Sequence, residues 1–485
     1  MSQRVAVIGA GPSGLTSIKS CLDEGLEPTC FESSDDIGGL WRFKETPELG
    51  RTSIYRSLVV NTSKEMMCFS DFPMPADYPN YMLHSQLLQY FRLYAQHFDL
   101  LRHITFQTSV LTVRQRPDFS RSGQWEVVTE NREGQEQRHV FDGVLVCSGH
   151  YTQPVSPLDQ FPGHESFPGR CLHSWEYKDA DAFRGKRVVV VGIGNSGGDI
   201  AVEISRAAEK TFLSTRKGTW VLARMSSSGL PLDMTAISRL TVLLTSLLPR
   251  ALVNWAAERS LNHRYDHRLY GLQLLEQKPL INDDLPGRIL QGAVVLKPDL
   301  RGFQGSGLLF QDGTTEEDID AVVFCTGYNG EMVSYCIINL MLRVFPPALE
   351  RPTLAIMGLF QTKGPIFPAV EMQARWVTRV IAGLTQLPPR KTMLSKIETE
   401  TKRAASIPAA LHVDYIPYLD SLAEQVGVRP NILGLLLREP SVGLRVLLGP
   451  CTPYQYRLRG PGKWDGARQA ILTQWERVAQ PFRTR

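Results

Sequence analysis

Two glycine-rich turns, about 180 residues apart, constrain the fold of this chain more than any other feature. They stand in "VAVIGAGPSGL" and "VVVVGIGNSGG", with the spacing G-x-G-x-x-G at Gly9, Gly11, Gly14 and at Gly192, Gly194, Gly197. Each turn follows a buried-strand pattern and precedes a helical one, as in the first β–α unit of a dinucleotide-binding fold. The glycines allow a tight turn, close approach of a pyrophosphate and close helix–strand packing. The sequence therefore predicts an α/β protein with two Rossmann-like dinucleotide-binding domains.

The end of the next strand distinguishes the two turns. Glu32 lies 18 residues after Gly14, where a carboxylate accepts hydrogen bonds from ribose hydroxyls. At the matching distance after Gly197 the chain reads "STRK" (214–217), without an acid. Arginine and threonine there favour a 2′-phosphate through charge-assisted hydrogen bonds, which predicts NADPH rather than NADH. The first turn is then expected to bind FAD, which accepts hydride from the nicotinamide.

The order of these patterns predicts how the domains are arranged. We expect a discontinuous FAD-binding domain formed by residues 1–154 and 331–485. The NADPH-binding domain is expected at 155–330, with a mostly helical insertion around 217–295. Proline-rich "QPVSPLDQFPGHESFPG" (153–169) is typical of a linker between the domains.

Composition excludes several classes of protein. A net charge of +4 on 485 residues is too small to indicate nucleic acid as the main partner. The eight cysteines form no C-x-x-C pair, so we expect neither a metal site, nor a disulfide scaffold, nor a dithiol reductase. Buried free thiols in a reducing compartment are expected instead.

The chain enters a strand at its N-terminus, so no secretory signal is expected. No run reaches 18 uninterrupted apolar residues, so no spanning helix is predicted either. Three apolar segments, at 236–255, 335–345 and 430–448, fit a helix on a membrane surface or one that faces the core. Peripheral membrane association is the interpretation we carry forward.

A third motif lies between the two turns. "FPGRCLHSWEY" fits F-x-G-x-x-x-H-x-x-x-(Y/F), with Phe167, Gly169, His173 and Tyr177. With its two flanking turns, this pattern is similar to that of flavin-containing and Baeyer–Villiger monooxygenases. Over nearly its whole length the chain resembles the animal flavin-containing monooxygenases, in "EGLEPTCFE", "DIGGLWRF", "NTSKEMMCFSDFP" and "GPGKWDGAR". "IGNSGGDIAVEIS" and "GVRPN" look most like the fifth mammalian subtype, which is associated with Baeyer–Villiger oxidation.

The resemblance implies an NADPH- and O2-dependent enzyme of the endoplasmic reticulum membrane, facing the cytosol, of the kind that metabolises drugs. In that family, a C4a-hydroperoxide on the FAD transfers oxygen to soft nitrogen or sulfur nucleophiles of small molecules. Three alternatives stay open: Baeyer–Villiger oxidation of a carbonyl, an uncoupled NADPH oxidase that releases H2O2, and a scaffold without turnover. The sequence leaves the oligomeric state open, a homodimer included.

The resemblance also assigns residues, by motif. The FAD pyrophosphate and ribose are assigned to Gly9, Ala10, Gly11, Pro12, Ser13, Gly14 and Glu32, with Gly39, Leu40 and Trp41 along the cofactor. The flavin ring is assigned to Val60, Asn61 and Thr62, and Asn61 is the expected catalytic residue. The NADP pyrophosphate is assigned to Gly192, Gly194, Asn195, Ser196, Gly197 and Gly198, and the 2′-phosphate to Thr215 and Arg216. His173 is expected to be structural, joining the two domains.

Two features depart from the family pattern. Cys325 replaces the usual alanine in "CTGY", and residues 329–345 continue differently and over a shorter length. The sequence stops at Arg485, without the hydrophobic tail that family members usually carry. These departures leave open the shape of the substrate channel and the mode of membrane attachment.

Overall fold

The computed structural model describes residues 2–272, 279–329, 339–403 and 411–483. The first part of the chain begins with a β–α–β unit and ends with a strand that returns to it. Its elements are β1 (Arg4–Ile8), α1 (Pro12–Asp23), β2 (Glu27–Phe31), α2 (Lys64–Met67), α3 (His84–His97), β3 (Ile104–Thr105), β4 (Thr108–Gln115), α4 (Phe119–Ser122), β5 (Trp125–Asn131), β6 (Glu136–Phe141) and β7 (Gly143–Val146).

The middle part contains the second β–α–β unit and a largely helical excursion. Its elements are β8 (Arg170–His173), β9 (Arg187–Val191), α5 (Asn195–Ile204), β10 (Lys210–Ser214), β11 (Val221–Leu222), α6 (Leu232–Ala236), α7 (Arg239–Leu247), α8 (Arg250–Asn262), β12 (Leu280–Ile281), α9 (Leu285–Leu290), β13 (Val294–Lys297), β14 (Leu300–Gln304), β15 (Gly307–Phe310), β16 (Thr315–Glu316) and β17 (Ala321–Phe324).

The last part adds one strand to the first sheet and is otherwise mostly helical. Its elements are β18 (Leu354–Ile356), β19 (Gln361–Lys363), α10 (Phe367–Ile381), α11 (Arg390–Arg403), β20 (His412–Asp414), α12 (Tyr415–Val426), α13 (Ile432–Arg438), α14 (Pro440–Leu448) and α15 (Ala467–Arg483).

Two five-stranded parallel sheets carry the two glycine-rich turns. Their orders are β18-β7-β1-β2-β3 and β13-β10-β9-β17-β8, so β1 and β9 lie at the centre of each sheet. Since the strands are parallel, both turns emerge at the carboxyl edge, where open α/β sheets bind ligands. The two sheets confirm the predicted fold class. The return of β18 to the first sheet agrees with a discontinuous first domain, whose boundaries stay a prediction.

Alternating residues of the central strands supply both faces of each sheet. Val5 and Val7 pack into the large core with α1 and α10, whereas Ala6 faces the antiparallel sheet β4-β5-β6. In β9, Val188 and Val190 face α5, and Val189 and Val191 face the antiparallel sheet β14-β15-β16. Strands buried on both faces read as unbroken apolar runs, which is why "VAVI" and "VVVV" predicted them.

The segment predicted as a linker is part of the second unit. Phe161 and Phe167 pack with Phe303 at ring-centroid distances of 6.4 and 5.0 Å. Just beyond, β8 pairs in parallel with β17 at the edge of the sheet. The interpretation of residues 153–169 as a linker was therefore wrong for the second half of this segment. The prolines there lie in a packed segment and not in a solvated one.

The seven cysteines in the described ranges are free thiols, and five of them are buried. Burial raises the pKa of the Cys147 and Cys325 thiols to about 12. Cys336 lies outside the described residues, as does most of the altered stretch after Tyr328 (residues 330–338).

Candidate functional site

The first glycine-rich turn is built by backbone contacts that leave no room for side chains. Gly9 has φ +100°, and its N–H donates to the carbonyl of Phe31 at 2.8 Å. A Cβ atom on Gly14 would lie 1.9 Å from the carbonyl oxygen of Gly9. Helix α1 can therefore approach β1 only with glycine at this position. No side chain of the described residues caps the N-terminus of α1, so its first N–H groups stay available to a phosphate.

A second turn covers this loop. The N–H of Gly38 donates to the carbonyl of Ala10 at 3.0 Å, and Gly39 lies so close that its Cβ would be 3.1 Å from the Cα of Gly11. The predicted residues Gly39, Leu40 and Trp41 form the short 3-10 helix that follows. The structure thus brings two sequence-predicted groups together around Gly11.

Glu32 is more engaged with the protein than the sequence predicted. Its Oε2 accepts from the Ala10 N–H at 2.8 Å, and its Oε1 accepts from the Ser34 N–H and hydroxyl and from Arg51. Burial opposes ionisation of Glu32, but these hydrogen bonds and the Arg51 charge prevail and lower its pKa. Oε2, with a single donor, keeps a lone pair for a ribose hydroxyl.

The second turn repeats the geometry of the first. Gly192 has φ +105°, its N–H donates to the Ser214 carbonyl at 2.9 Å, and a Cβ on Gly197 would lie 1.9 Å from its oxygen. Helix α5 has no side-chain cap. Unlike Gly11, Gly194 is exposed, and no atom of the described residues lies within 4 Å of its Cβ position.

The residues after β10 fit the predicted phosphate site. Arg216 and Lys217 are exposed, and within the described part of the chain Arg216 has no ion pair or hydrogen bond. Thr215 is half-buried, and its hydroxyl accepts from the Gly218 N–H at 3.0 Å. An unpaired guanidinium beside a hydroxyl at the carboxyl edge of β10 is a suitable donor set for a 2′-phosphate.

Two of the residues assigned to the NADP pyrophosphate also have packing roles. Gly198 is buried, and a Cβ there would lie 2.6 Å from the side chain of Leu280. Asn195 Oδ1 accepts from the N–H of Ile281 at 3.0 Å. Both contacts attach β12 to helix α5, so glycine and asparagine are explained here even without a ligand. Ser196 is exposed beside them.

Asn61 and Thr62 are half-buried, next to the buried Val60, whose N–H donates to the Met82 carbonyl at 3.0 Å. Asn61 Oδ1 accepts from Arg224 Nη2 at 2.7 Å. The Ser63 N–H donates to Asp233 Oδ2 at 2.7 Å. Burial raises the pKa of this aspartate.

Sequence reasoning missed Arg224 and Asp233, both of which lie in the helical excursion around 217–295. Neither belongs to a motif, and they lie more than 160 residues from Asn61 along the chain. The one sequence signal that could have found Arg224 and Asp233 is that each is a charged residue next to apolar residues. The excursion therefore helps to build the loop of the expected catalytic residue.

The motif at 167–177 has structural surroundings. The N–H of His173 donates to Glu176 Oε2 at 2.9 Å, and its Nδ1 accepts from the Trp175 N–H at 3.1 Å. Burial lowers the pKa of His173. Tyr177 is buried and contacts Tyr55 edge-on at 6.1 Å, joining the first part of the chain to the second sheet. These contacts support the predicted structural role of the motif.

The two turns can be tested for fit to a dinucleotide. Each places uncapped helix N–H groups above a glycine that could not carry a side chain, the geometry that accommodates a pyrophosphate. The Glu32 carboxylate, expected at the ribose, follows the first turn, and Arg216, which has no partner in the described ranges, follows the second. The donor sets therefore fit FAD and NADPH respectively.

Comparison with known proteins decides the family. The profile described as "Flavin-binding monooxygenase-like" matches residues 2–485. The chain belongs to this family. It is 52% identical to rat flavin-containing monooxygenase 5 and 51% identical to the human protein, over all of this chain and 94% of each relative. It is 50% identical to guinea pig dimethylaniline monooxygenase [N-oxide-forming] 2, with the same coverage. These relatives confirm the animal-type flavin-containing monooxygenase resemblance.

Solved structures support the fold independently. The garlic (Allium sativum) S-allyl-L-cysteine S-oxygenase matches with a TM-score of 0.68 at 22% identity, over 99% of both chains. A cyclohexanone monooxygenase matches with a TM-score of 0.61 at 18% identity, over 87% of this chain and 97% of that one. At these identities the similarity concerns the fold alone.

The helices in the described ranges were also compared with the thickness of a bilayer. None of them is both long and apolar enough to cross one.

Proposed function

We propose that this protein is an NADPH- and O2-dependent flavin monooxygenase that oxygenates soft nitrogen or sulfur atoms of small molecules. The observation that carries the proposal is the pair of matched turns with different second strands. One turn leads to the buried Glu32 carboxylate, and the other leads to Thr215 and to Arg216, which has no partner among the described residues. Two unlike dinucleotide sites suit an enzyme in which NADPH reduces a bound FAD.

The residues of the chain divide the work between binding and positioning. The 9–14 turn, Glu32 and the 39–41 segment would hold FAD, and the 192–198 turn with Thr215 and Arg216 would hold NADPH. Bound FAD supplies the redox chemistry, accepting hydride from NADPH and reacting with O2. Asn61, with Val60 and Thr62, would offer hydrogen bonds beside the flavin. This division explains why no catalytic triad is needed.

The test measures products with the purified, FAD-loaded protein. A thioether, a tertiary amine and a ketone are each incubated with NADPH and O2, and sulfoxide, N-oxide, ester and H2O2 are quantified. We expect sulfoxide or N-oxide in near-stoichiometric amounts to NADPH consumed, and much weaker activity with NADH. NADPH consumption that yields only H2O2 would instead establish the oxidase alternative. No NADPH consumption would contradict the proposal.

The ketone arm addresses the second candidate, Baeyer–Villiger oxidation. It is favoured by the identity of 52% and 51% to the rat and human flavin-containing monooxygenase 5, a subtype that is associated with Baeyer–Villiger oxidation. If an ester is the main product, the reaction of this chain is Baeyer–Villiger oxidation and not oxygenation of nitrogen or sulfur.

We also propose that the protein attaches to a membrane surface, which for this family is the endoplasmic reticulum facing the cytosol. Two segments far apart in sequence meet here, because the Cys451 N–H donates to the Ile237 carbonyl and α14 packs against α7. Their helices expose a set of large apolar side chains: Leu243, Leu244, Leu247, Leu248, Leu252, Trp255, Leu433, Leu437, Leu444 and Leu448. Exposed arginines lie among them, at Arg250, Arg259, Arg438 and Arg445.

A surface of leucine, tryptophan and arginine on short helices is suited to the lipid interface. Co-sedimentation with vesicles that contain anionic lipid tests this proposal. The Leu247→Ser/Leu437→Ser variant should lose most of its binding, whereas Leu290→Ser, which changes an equally exposed leucine elsewhere, should bind normally. If the double variant sediments like the unmodified protein, the surface is not the attachment site. A change in oligomer size instead would assign the surface to an interface between two copies of the chain.

A further inference from the structure

Arg224 holds the side chain of Asn61, although it lies 163 residues further along the chain. Its Nη2 donates to Asn61 Oδ1 at 2.7 Å, and its Nε donates to the Val60 carbonyl at 3.2 Å. Its Nη1 donates to Asp283 Oδ2 at 2.9 Å, and its backbone N–H donates to Asp283 Oδ1 at 2.9 Å. The guanidinium is therefore fixed on three edges, and its side chain is only 12% exposed.

This contact decides which way the Asn61 amide points. A guanidinium has only donors, and the amide nitrogen has no acceptor lone pair, so the atom facing Arg224 must be Oδ1. The Nδ2 group then lies on the other side of the amide. Within the described residues Nδ2 has no hydrogen-bond partner. Asn61 thus presents two donor hydrogens and no acceptor to whatever binds beside it.

We propose that Arg224 is a positioning residue that makes Asn61 a hydrogen-bond donor toward the ligand at the flavin. This inference rests on the proposed function, in which Asn61 lies beside the bound cofactors. Without Arg224, the amide could rotate by 180° and offer its oxygen, which would repel an electron-rich oxygen atom of a ligand. Arg224 is therefore expected to control the outcome of the reaction without touching the reacting atoms.

The support for Arg224 extends to the second glycine-rich turn. Asp283 follows β12, whose Ile281 N–H is held by Asn195 Oδ1 at 3.0 Å. Asn282 donates to Asp199 Oδ1 at 2.6 Å, and Tyr55 donates to Oδ2 of the same carboxylate at 2.6 Å. Hydrogen bonds at both ends of the backbone segment 281–283 thus join helix α5, where NADPH is expected, to the amide of Asn61. Such networks hold a side chain in one geometry more firmly than a single contact does.

The first experiment asks whether Asn61 acts as a donor. Asn61→Asp keeps an oxygen facing Arg224 but replaces the Nδ2 donor by an acceptor. We expect its H2O2 yield per NADPH oxidised to rise about tenfold, as for loss of one hydrogen bond to a polar group, and its Tm to stay unchanged or rise. An unchanged yield would show that Asn61 is not a donor to the ligand and would overturn the inference.

The second experiment is a double-mutant cycle of Asn61→Ser and Arg224→Met in FAD-loaded protein. The readouts are the H2O2 yield and the dissociation constant of NADP+, followed through the change in flavin absorbance. Each single variant should show a higher H2O2 yield, and the double variant should be no worse than Asn61→Ser alone. Additive effects would mean that Arg224 acts independently of Asn61 and would refute its positioning role.

Arg224→Lys supports the cycle if Arg224→Met folds poorly. Lysine keeps the charge opposite Asp283 but cannot reach all three acceptors, so an intermediate H2O2 yield is expected. Arg206→Met is the matched control, because it breaks an ion pair with the neighbouring Asp284 without affecting Asn61. If Arg224→Lys and Arg206→Met both behave like the unmodified protein, Arg224 does not position Asn61. If the unmodified protein forms no oxygenated product, the proposed function itself fails.

Discussion

The two glycine-rich turns share one backbone geometry but differ in how far the rest of the chain covers them. Gly9 and Gly192 have φ values of +100° and +105°, and a Cβ atom on Gly14 or Gly197 would lie 1.9 Å from the carbonyl oxygen of the respective glycine. The first turn is covered by the 38–41 segment and bonded to Glu32, whereas Gly194 of the second turn is exposed. A covered site suits a cofactor that stays bound, and an open site suits one that leaves after each turnover.

The largest effect is expected where the turns are most alike. Gly14→Ala and Gly197→Ala each place a methyl group 1.9 Å from a backbone oxygen, which only a backbone shift could relieve, at a cost of roughly 1–3 kcal/mol or more. We expect Gly14→Ala to be purified without FAD and Gly197→Ala to keep FAD but lose NADPH oxidation. Absorbance at the flavin band and NADPH consumption measure the two properties. If both variants lose FAD equally, the turns do not serve different cofactors.

Arg216→Ala tests whether the residues after β10 select NADPH, in contrast to Glu32 after β2. Loss of a charge-assisted hydrogen bond to the 2′-phosphate should raise the KM for NADPH about 10- to 100-fold, with the KM for NADH unchanged. Because Arg216 has no partner in the described part of the chain, Tm should stay the same. Arg301→Ala, at another exposed arginine, is the control. Equal loss with both nucleotides would contradict a role at the 2′-phosphate.

Glu32→Gln tests the carboxylate of the first turn through pH. The pKa of Glu32 is lower in the folded protein than its ordinary value of 4.5. The ionised carboxylate therefore stabilises the fold at pH values above 4.5, and this stabilisation is lost as the pH falls through the pKa of the folded state. Glutamine at this position cannot titrate. The Tm of the unmodified protein should therefore exceed that of Glu32→Gln at pH 7, and the gap should close as the pH is lowered below 4.5. A gap independent of pH would show that the charge is not responsible.

The smallest structural effect is expected for Gly194→Ala. Its Cβ position is open and its φ of −75° suits any residue, so Tm should change by less than about 1 °C. A several-fold rise in the KM for NADPH is nevertheless expected, because the methyl group lies where the nucleotide would approach the backbone. An unchanged KM would place the nucleotide elsewhere.

The sequence by itself determined both β–α–β units and the difference between their second strands. Buried parallel strands need apolar runs, tight turns need glycine, and binding of a ribose or a phosphate needs particular side chains. Each of these features can therefore be recognised from a short stretch of sequence. Glu32 and Arg216 could be found for that reason. The packing of Phe161 and Phe167 could not, because prolines give the same local signal in a linker and in a packed segment.

Only the tertiary structure decided which distant residues meet. The contact of Arg224 with Asn61, that of Asp233 with Ser63, and the joint apolar surface of α7, α8, α13 and α14 each join parts of the chain more than 160 residues apart. No local sequence pattern at one partner predicts the other partner. These contacts depend on how the helical excursion around 217–295 packs against the first part of the chain. The sequence assigned Gly39, Leu40 and Trp41 to the FAD site, but only the tertiary structure showed that the 38–41 segment packs directly on the first turn.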